Sequence, residues 1–141
     1  MRAFFIGIIA FLSACATAPT QPPAAESNII AVEYMYWGNL TSRWSVSRTG
    51  EGRYTEGDAT TTFAVAPETF DRIRDIFRPY ENRAFTCHRL IADGPYGDIV
   101  WSSDEGEHQR TRFDAGCVTG DANDLFERLD QAEAIVRELR E

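Results

Sequence analysis

The chain has 141 residues, of which 43% are hydrophobic, 12% aromatic and 26% charged, and its formal net charge is −8. That length allows one domain, and the apolar and aromatic content excludes a disordered chain. Fourteen basic residues, all Arg, stand against 22 acids, so a nucleic-acid binder relying on phosphate contacts is excluded. A multi-pass membrane protein is excluded too, because no apolar run reaches the ~18–20 residues that span a bilayer.

The first charge is Arg2, the only one among the first 25 residues. A short apolar run follows, Phe4 to Leu12, then the small residues Ser13 and Ala14, then Cys15. A positive start, an apolar stretch of about 10 residues and a small-residue exit form a secretory signal. The four residues Leu12-Ser13-Ala14-Cys15 resemble the lipobox of bacterial lipoproteins. That resemblance implies that residues 1–14 are cleaved and that Cys15 becomes the lipid-bearing N-terminus. Two or three acyl chains, at about 0.8 kcal/mol per buried CH₂, anchor a protein without any membrane-binding surface on its domain. Ala16, rather than Asp, follows the cysteine, which by analogy with enteric lipoproteins implies the outer membrane, facing the periplasm. Loss of Arg2 would leave the mature chain more acidic than −8. The rest of segment 15–28 carries three prolines and no large apolar residue. It reads as a tether with polyproline II tendency, reaching at most roughly 40 Å.

The domain is expected over residues 29–141. Ile29 to Trp37 is a strand with Ile30, Val32, Tyr34 and Tyr36 on one face. Arg43 to Arg48 alternates again, Gly50-Glu51-Gly52 turns, and Arg53 to Glu56 returns. Gly57-Asp58 breaks the chain before a β-rich stretch, Thr60 to Ala64. The period then changes. Phe70, Ile73, Phe77 and Tyr80 recur at helical steps, which predicts a helix over about 67–78, opened by Pro67 and ended near Pro79. Arg83 to Ile91 reads as a strand, residues 93–97 as a loop, Asp98 to Ser102 and Gln109 to Phe113 as strands about an acidic turn at 104–107. Leu125, Leu129, Ala132, Val136 and Leu139 make the core stripe of a last helix over about 122–140. Asp121 and Asp124 sit at its positive end, and Asp124–Arg128 is spaced for an ion pair. Strands, helix, strands, helix predicts an α+β domain, an antiparallel sheet with two helices packed on one face. A split sheet or an incomplete barrel is the alternative. The domain also resembles small uncharacterised envelope lipoproteins with paired strands and helices, a likeness that implies no activity.

With Cys15 assigned to lipid, Cys87 and Cys117 remain as an even pair in an oxidising compartment, which reads as a disulfide. A loop of that length adds roughly 3–4 kcal/mol by chain entropy. The rival is a metal site built from Cys87, His88, His108 and Cys117. No short-turn ligand spacing supports it, and neighbours on a strand point to opposite faces.

No G-x-S-x-G, no H-E-x-x-H and no phosphate loop occurs. Asp121, Asn123 and Asp124 lack the later positions of a calcium loop. No cofactor is implied. The aromatic set Tyr34, Tyr36, Trp37, Trp44 and Trp101, beside Arg43, Arg48 and Arg89, has the composition of an interface centre, and more so of a small-domain core, which needs large rings. The first functional expectation is a non-enzymatic envelope module that binds a protein or cell-wall component. One alternative is an inhibitor of a basic periplasmic hydrolase such as lysozyme, although the Cys-and-Tyr pattern of lipoprotein lysozyme inhibitors is missing. The other is an envelope hydrolase with an unrecognised site, which would need His88 or His108 in a pocket beside carboxylates.

Overall fold

The computed structural model describes residues 27–83, 85 and 94–141. The expected signal, Cys15 and nearly all of the tether lie outside the described residues, as do Cys87, His88 and Arg89. Strands β1 (Ile29–Tyr36), β2 (Asn39–Ser47), β3 (Glu51–Glu56) and β4 (Ala59–Ala64) come first. Helix α1 (Pro67–Phe77) and a 3₁₀ turn at Arg78–Tyr80 follow, then β5 (Tyr96–Ser103), β6 (Gly106–Asp114) and α2 (Gly120–Arg140). The strands form one sheet in the order β4-β3-β2-β1-β5-β6, with every pairing antiparallel. The fold is α+β, as the sequence predicts. The strand expected over Arg83–Ile91 falls mostly outside the described residues; Arg83 and Phe85 are described and lie in no strand.

Alternation decides which face each residue serves. Ile30 and Val32 of β1, Trp44 and Val46 of β2, Ile99 and Trp101 of β5 and Phe113 of β6 all share one face. They form a single buried cluster with Phe70, Ile73 and Phe77 of α1 and Leu125, Leu129, Ala132 and Val136 of α2. Both helices therefore pack on that face. Pro67 fits the first turn of α1, where its missing N–H has no partner to lose. Tyr80, 1% exposed, joins the helices: its hydroxyl lies 2.8 Å from the Asp121 carbonyl oxygen and 2.8 Å from Asp124 Oδ2. Burial and then Asp124 push that hydroxyl up to about 12. Asp124 also accepts from Arg128 at 2.7 Å, the ion pair that the spacing predicts. Cys117 is buried and disulfide-bonded.

Close approach of the neighbouring backbone sets Gly97. Gly97 of β5 lies opposite Tyr34 on one side and Phe113 on the other. A Cβ there would run into the Glu33 carbonyl oxygen and the Phe113 ring. Backbone cannot step aside cheaply, so Gly97→Ala is expected to cost about 3 kcal/mol, the upper end of overpacking. Gly57→Ala, with open space around it, is expected to cost only about 1 kcal/mol, for its positive φ alone. Denaturant unfolding of the two variants checks this; equal losses would refute the packing account.

Candidate functional site

The structure divides the aromatic set. Trp44 and Trp101 are 1% and 0% exposed and belong to the core, so they offer no binding surface. Their parity on β2 and β5 is that of the helix-covered face, and a two-layer domain fills that face with its largest rings. Tyr34 is half-buried, its ring edge-on to Phe113 at 5.4 Å. Burial, reinforced by Glu133, drives its hydroxyl well above the usual tyrosine range. Tyr36 and Trp37 are the opposite case, 61% and 75% exposed, with Leu40 beside them at 53%.

Those three residues sit at the β1–β2 hairpin end. Tyr36 pairs with Asn39, which leaves Trp37 and Gly38 as the two turn residues. Both have positive φ, 49° and 81°, the signature of a type I′ turn. Gly38 suits that conformation, but Trp37 does not: a side chain at left-handed φ costs on the order of 1–2 kcal/mol. Supporting bonds hold the strained turn. The Gly38 N–H donates to the Tyr96 hydroxyl, the Asn39 amide to the Trp37 carbonyl at 3.3 Å, and the Thr41 hydroxyl to the Tyr34 carbonyl at 3.0 Å. The Tyr36 and Trp37 rings are 6.0 Å apart at 84°, edge to face. From Tyr34 to Ser42 no residue is charged. The tip is thus a convex, uncharged aromatic knob on a rigid hairpin. Sequence reading ended the first strand at Trp37 and began the next only at Arg43, because a Trp is not a turn former.

A serine, a histidine and a glutamate meet at the other end of β1. Ser27 Oγ lies 2.7 Å from Glu81 Oε1 and 2.7 Å from His108 Nε2. Arg74 grips the Glu81 carboxylate through Nε and Nη2, both at 3.2 Å. An ionised carboxylate only accepts, so the single Ser27 proton goes to Glu81 and His108 Nε2 must donate to Ser27. A nucleophilic serine needs the reverse, a histidine that takes its proton. Ser27 is also only 1% exposed, which leaves a substrate no approach. His108 borders an open hollow of about 530 Å³ along β6, lined by Arg83, Arg110 and Arg112 and, among the described residues, by no carboxylate. The cluster does not assemble hydrolytic machinery. It is a clamp that ties the segment before β1 to β6 through His108 and, through Glu81 and Arg74, to α1. Sequence reading placed Ser27 in the tether; partners 54 and 81 residues away leave no local signal.

A charge network occupies the face away from the helices. Asp98 of β5, its side chain 2% exposed, accepts from Arg112 Nε and Nη2 at 3.0 Å each and from Arg110 Nη1 at 3.2 Å. Arg110 also meets Glu33 at 2.7 Å and Glu107 at 2.8 Å. Arg43 reaches Glu33 at 3.5 Å. Apart from this network, Arg48 reaches Asp71 of α1 at 3.0 Å. Among the described residues no three of His, Cys, Asp and Glu group to hold a metal ion, and no helix is long and apolar enough to cross a membrane. Compared with protein-family models, curated proteins and solved structures, the chain matches none.

Burial alone would push the Asp98 carboxyl up, but Arg112 and then Arg110 outweigh it and hold it below the usual carboxylate range. A lowered folded-state value means stability that is fully present above the ordinary carboxyl value and is lost as pH falls through the folded one. Asp98→Asn is expected to cost about 1–3 kcal/mol at neutral pH and to flatten the loss of stability on acidification. Unfolding free energies measured from neutral pH down to pH ~3 test both; an unchanged acid slope would refute the assignment.

Proposed function

We propose that the protein is a lipid-anchored envelope module, held to the membrane through Cys15, which binds a protein partner with its β1–β2 tip and performs no chemistry. One observation carries the reading: Trp37, 75% exposed and at φ 49°, breaks both the burial rule and the turn rule at the same position. Strained backbone of this kind clusters at functional contacts. Exposed Trp and Tyr are also the residues that supply most binding energy at interface centres. The ring geometry favours a protein over a glycan. Two rings at 84° cannot form one flat platform for a sugar, whereas a convex knob fills an apolar pocket.

The placement of the tip agrees with a tethered role. Ser27 stands just before β1 and Trp37 just after it. Eight residues of strand separate the two ends by about 27 Å at ~3.4 Å per residue. A domain held at Ser27 therefore presents Trp37 from its far end. The lipobox-like Leu12-Ser13-Ala14-Cys15 supports the anchor and, with Ala16, the outer membrane facing the periplasm. A knob of this shape would also enter the cleft of a hydrolase, so the inhibitor reading shares the same residues and the same test. The proton arrangement at Ser27 gives the hydrolase reading no support.

Trp37→Asn separates binding from folding. Asn-Gly is the preferred type I′ pair, so the variant is expected to gain about 1 kcal/mol of stability. It should also lose at least about 30-fold in partner capture, the effect of one hot-spot side chain. Cross-linking of the full chain in cells, wild type against variant, measures the second, and lysozyme activity with added protein separates an inhibited hydrolase from other partners. Undiminished capture by the variant would overturn the role of the tip. For the anchor, Cys15→Ala is expected to abolish labelling by a palmitate analogue and to move the protein out of the membrane fraction. A label retained by that variant would overturn it.

A further inference from the structure

A sheet edge displays unpaired backbone groups, and the two edges here are treated differently. The β6 edge carries Glu107, His108, Arg110 and Arg112. Those charged side chains guard the β6 edge against an added strand. The β4 edge, Ala-Thr-Thr-Thr-Phe-Ala, has no charge and no proline, and its pairing with β3 has no bulge. Among the described residues none of the usual protections against strand addition is present.

The ladder shows which β4 groups are free. The Val65 N–H donates to the Gly50 carbonyl at 2.9 Å, which makes that pair a hydrogen-bonded one. Alternation along an antiparallel ladder then makes Gly52–Phe63 and Tyr54–Thr61 hydrogen-bonded, and Glu51–Ala64, Arg53–Thr62 and Thr55–Thr60 the other kind. The Thr55 and Thr60 hydroxyls, 3.0 Å apart, show the closer side-chain spacing of that second kind. Thr60, Thr62 and Ala64 therefore turn N–H and C=O outward, and all three are exposed. A shallow hollow of about 530 Å³ opens there, bounded by Thr62, Phe63 and Ala64 and by Thr49, Gly50 and Glu51.

We infer that β4 pairs antiparallel with β4 of a second copy of this chain, about a two-fold axis through Thr62. An antiparallel edge is its own complement. Thr62 faces Thr62, Thr60 faces Ala64, and about six backbone hydrogen bonds close between the strands. Charge selects this edge for a like partner. On a chain of net charge −8 most surfaces repel a copy, but from Ala59 to Pro67 no residue is charged. Threonines facing across a pair add to the stability of the match. The pairing joins two sheets into one and doubles the number of Tyr36–Trp37 tips per assembly.

A single cysteine on the edge reads this out in the full chain. In membranes from cells making Thr62→Cys, a short bis-maleimide is expected to give a product of twice the protomer mass. Glu107→Cys on the β6 edge is expected to give none. Adding Thr60→Lys to Thr62→Cys should cut the product by about tenfold, since a lysine on an edge strand is one of the charges that block strand addition. Unchanged thermal unfolding of that double variant confirms that the loss is one of pairing. Absence of the doubled product, equal product from Glu107→Cys, or no loss with Thr60→Lys would each overturn the inference. So would a product joining one copy to a different protein, which would make β4 the edge for a foreign strand.

Discussion

Everything in this domain follows from helices covering one face of the sheet only. Period-two alternation then assigns each strand residue to a layer before any side chain is chosen. On the covered face Trp44 and Trp101 stand on the strands flanking β1, and Phe70, Ile73 and Phe77 come down on the sheet from α1. Burying rings of this size contributes about 1.5–3 kcal/mol each, so the covered face carries most of the stability. On the other face the same strands must satisfy polar groups with no helix of the described residues over them. Asp98 shows the solution: its carboxylate is buried, yet two guanidinium groups from the neighbouring strand reach it. Buried charge is tolerable there because its partners keep their own access to water.

Much of the architecture was legible because it rests on short-range pattern. The period change after Ala64 marks α1, and the Leu125-Leu129-Ala132-Val136 stripe marks α2. Predicted strands Arg53–Glu56 and Thr60–Ala64 differ from β3 and β4 by one or two residues, since Gly57 announces their turn. What escaped the sequence has a physical reason in each case. The β1–β2 turn was missed because its first residue is a Trp, where turn chemistry calls for Asn, Asp or Gly. The aromatic set divides between core and surface only in the structure, because composition does not tell a buried indole from an exposed one; parity across the sheet does, and parity requires the pairing order. The Ser27–Glu81–His108 clamp has no sequence signal because its members come from three segments far apart in the chain.

Two places in the molecule break local rules without any gain inside the domain. Trp37 adopts a backbone conformation that a smaller residue would occupy with less strain, and its ring touches little of its own chain except Tyr36. The β4 edge omits every device that the β6 edge displays. A sequence under pressure for stability alone would place Asn at the first and a charge at the second. Such departures are expected where a partner, rather than the fold, sets the choice of residue.

The two departures also differ in what they imply about affinity. A knob of two rings works by desolvation in a pocket, and its energy is concentrated in one or two side chains. A strand edge works through backbone bonds, each contributing only about 0.5–1.5 kcal/mol net, so one edge alone makes a weak contact. Combined, the two proposals would make binding depend on assembly: two copies would carry two tips, and with one tip engaged the second would bind as if intramolecularly. A weak edge would then have a large effect on occupancy. The clamp at Ser27 would contribute to the proposed anchoring, because a residue that is buried and hydrogen-bonded to two partners gives a fixed point of attachment rather than a loose one.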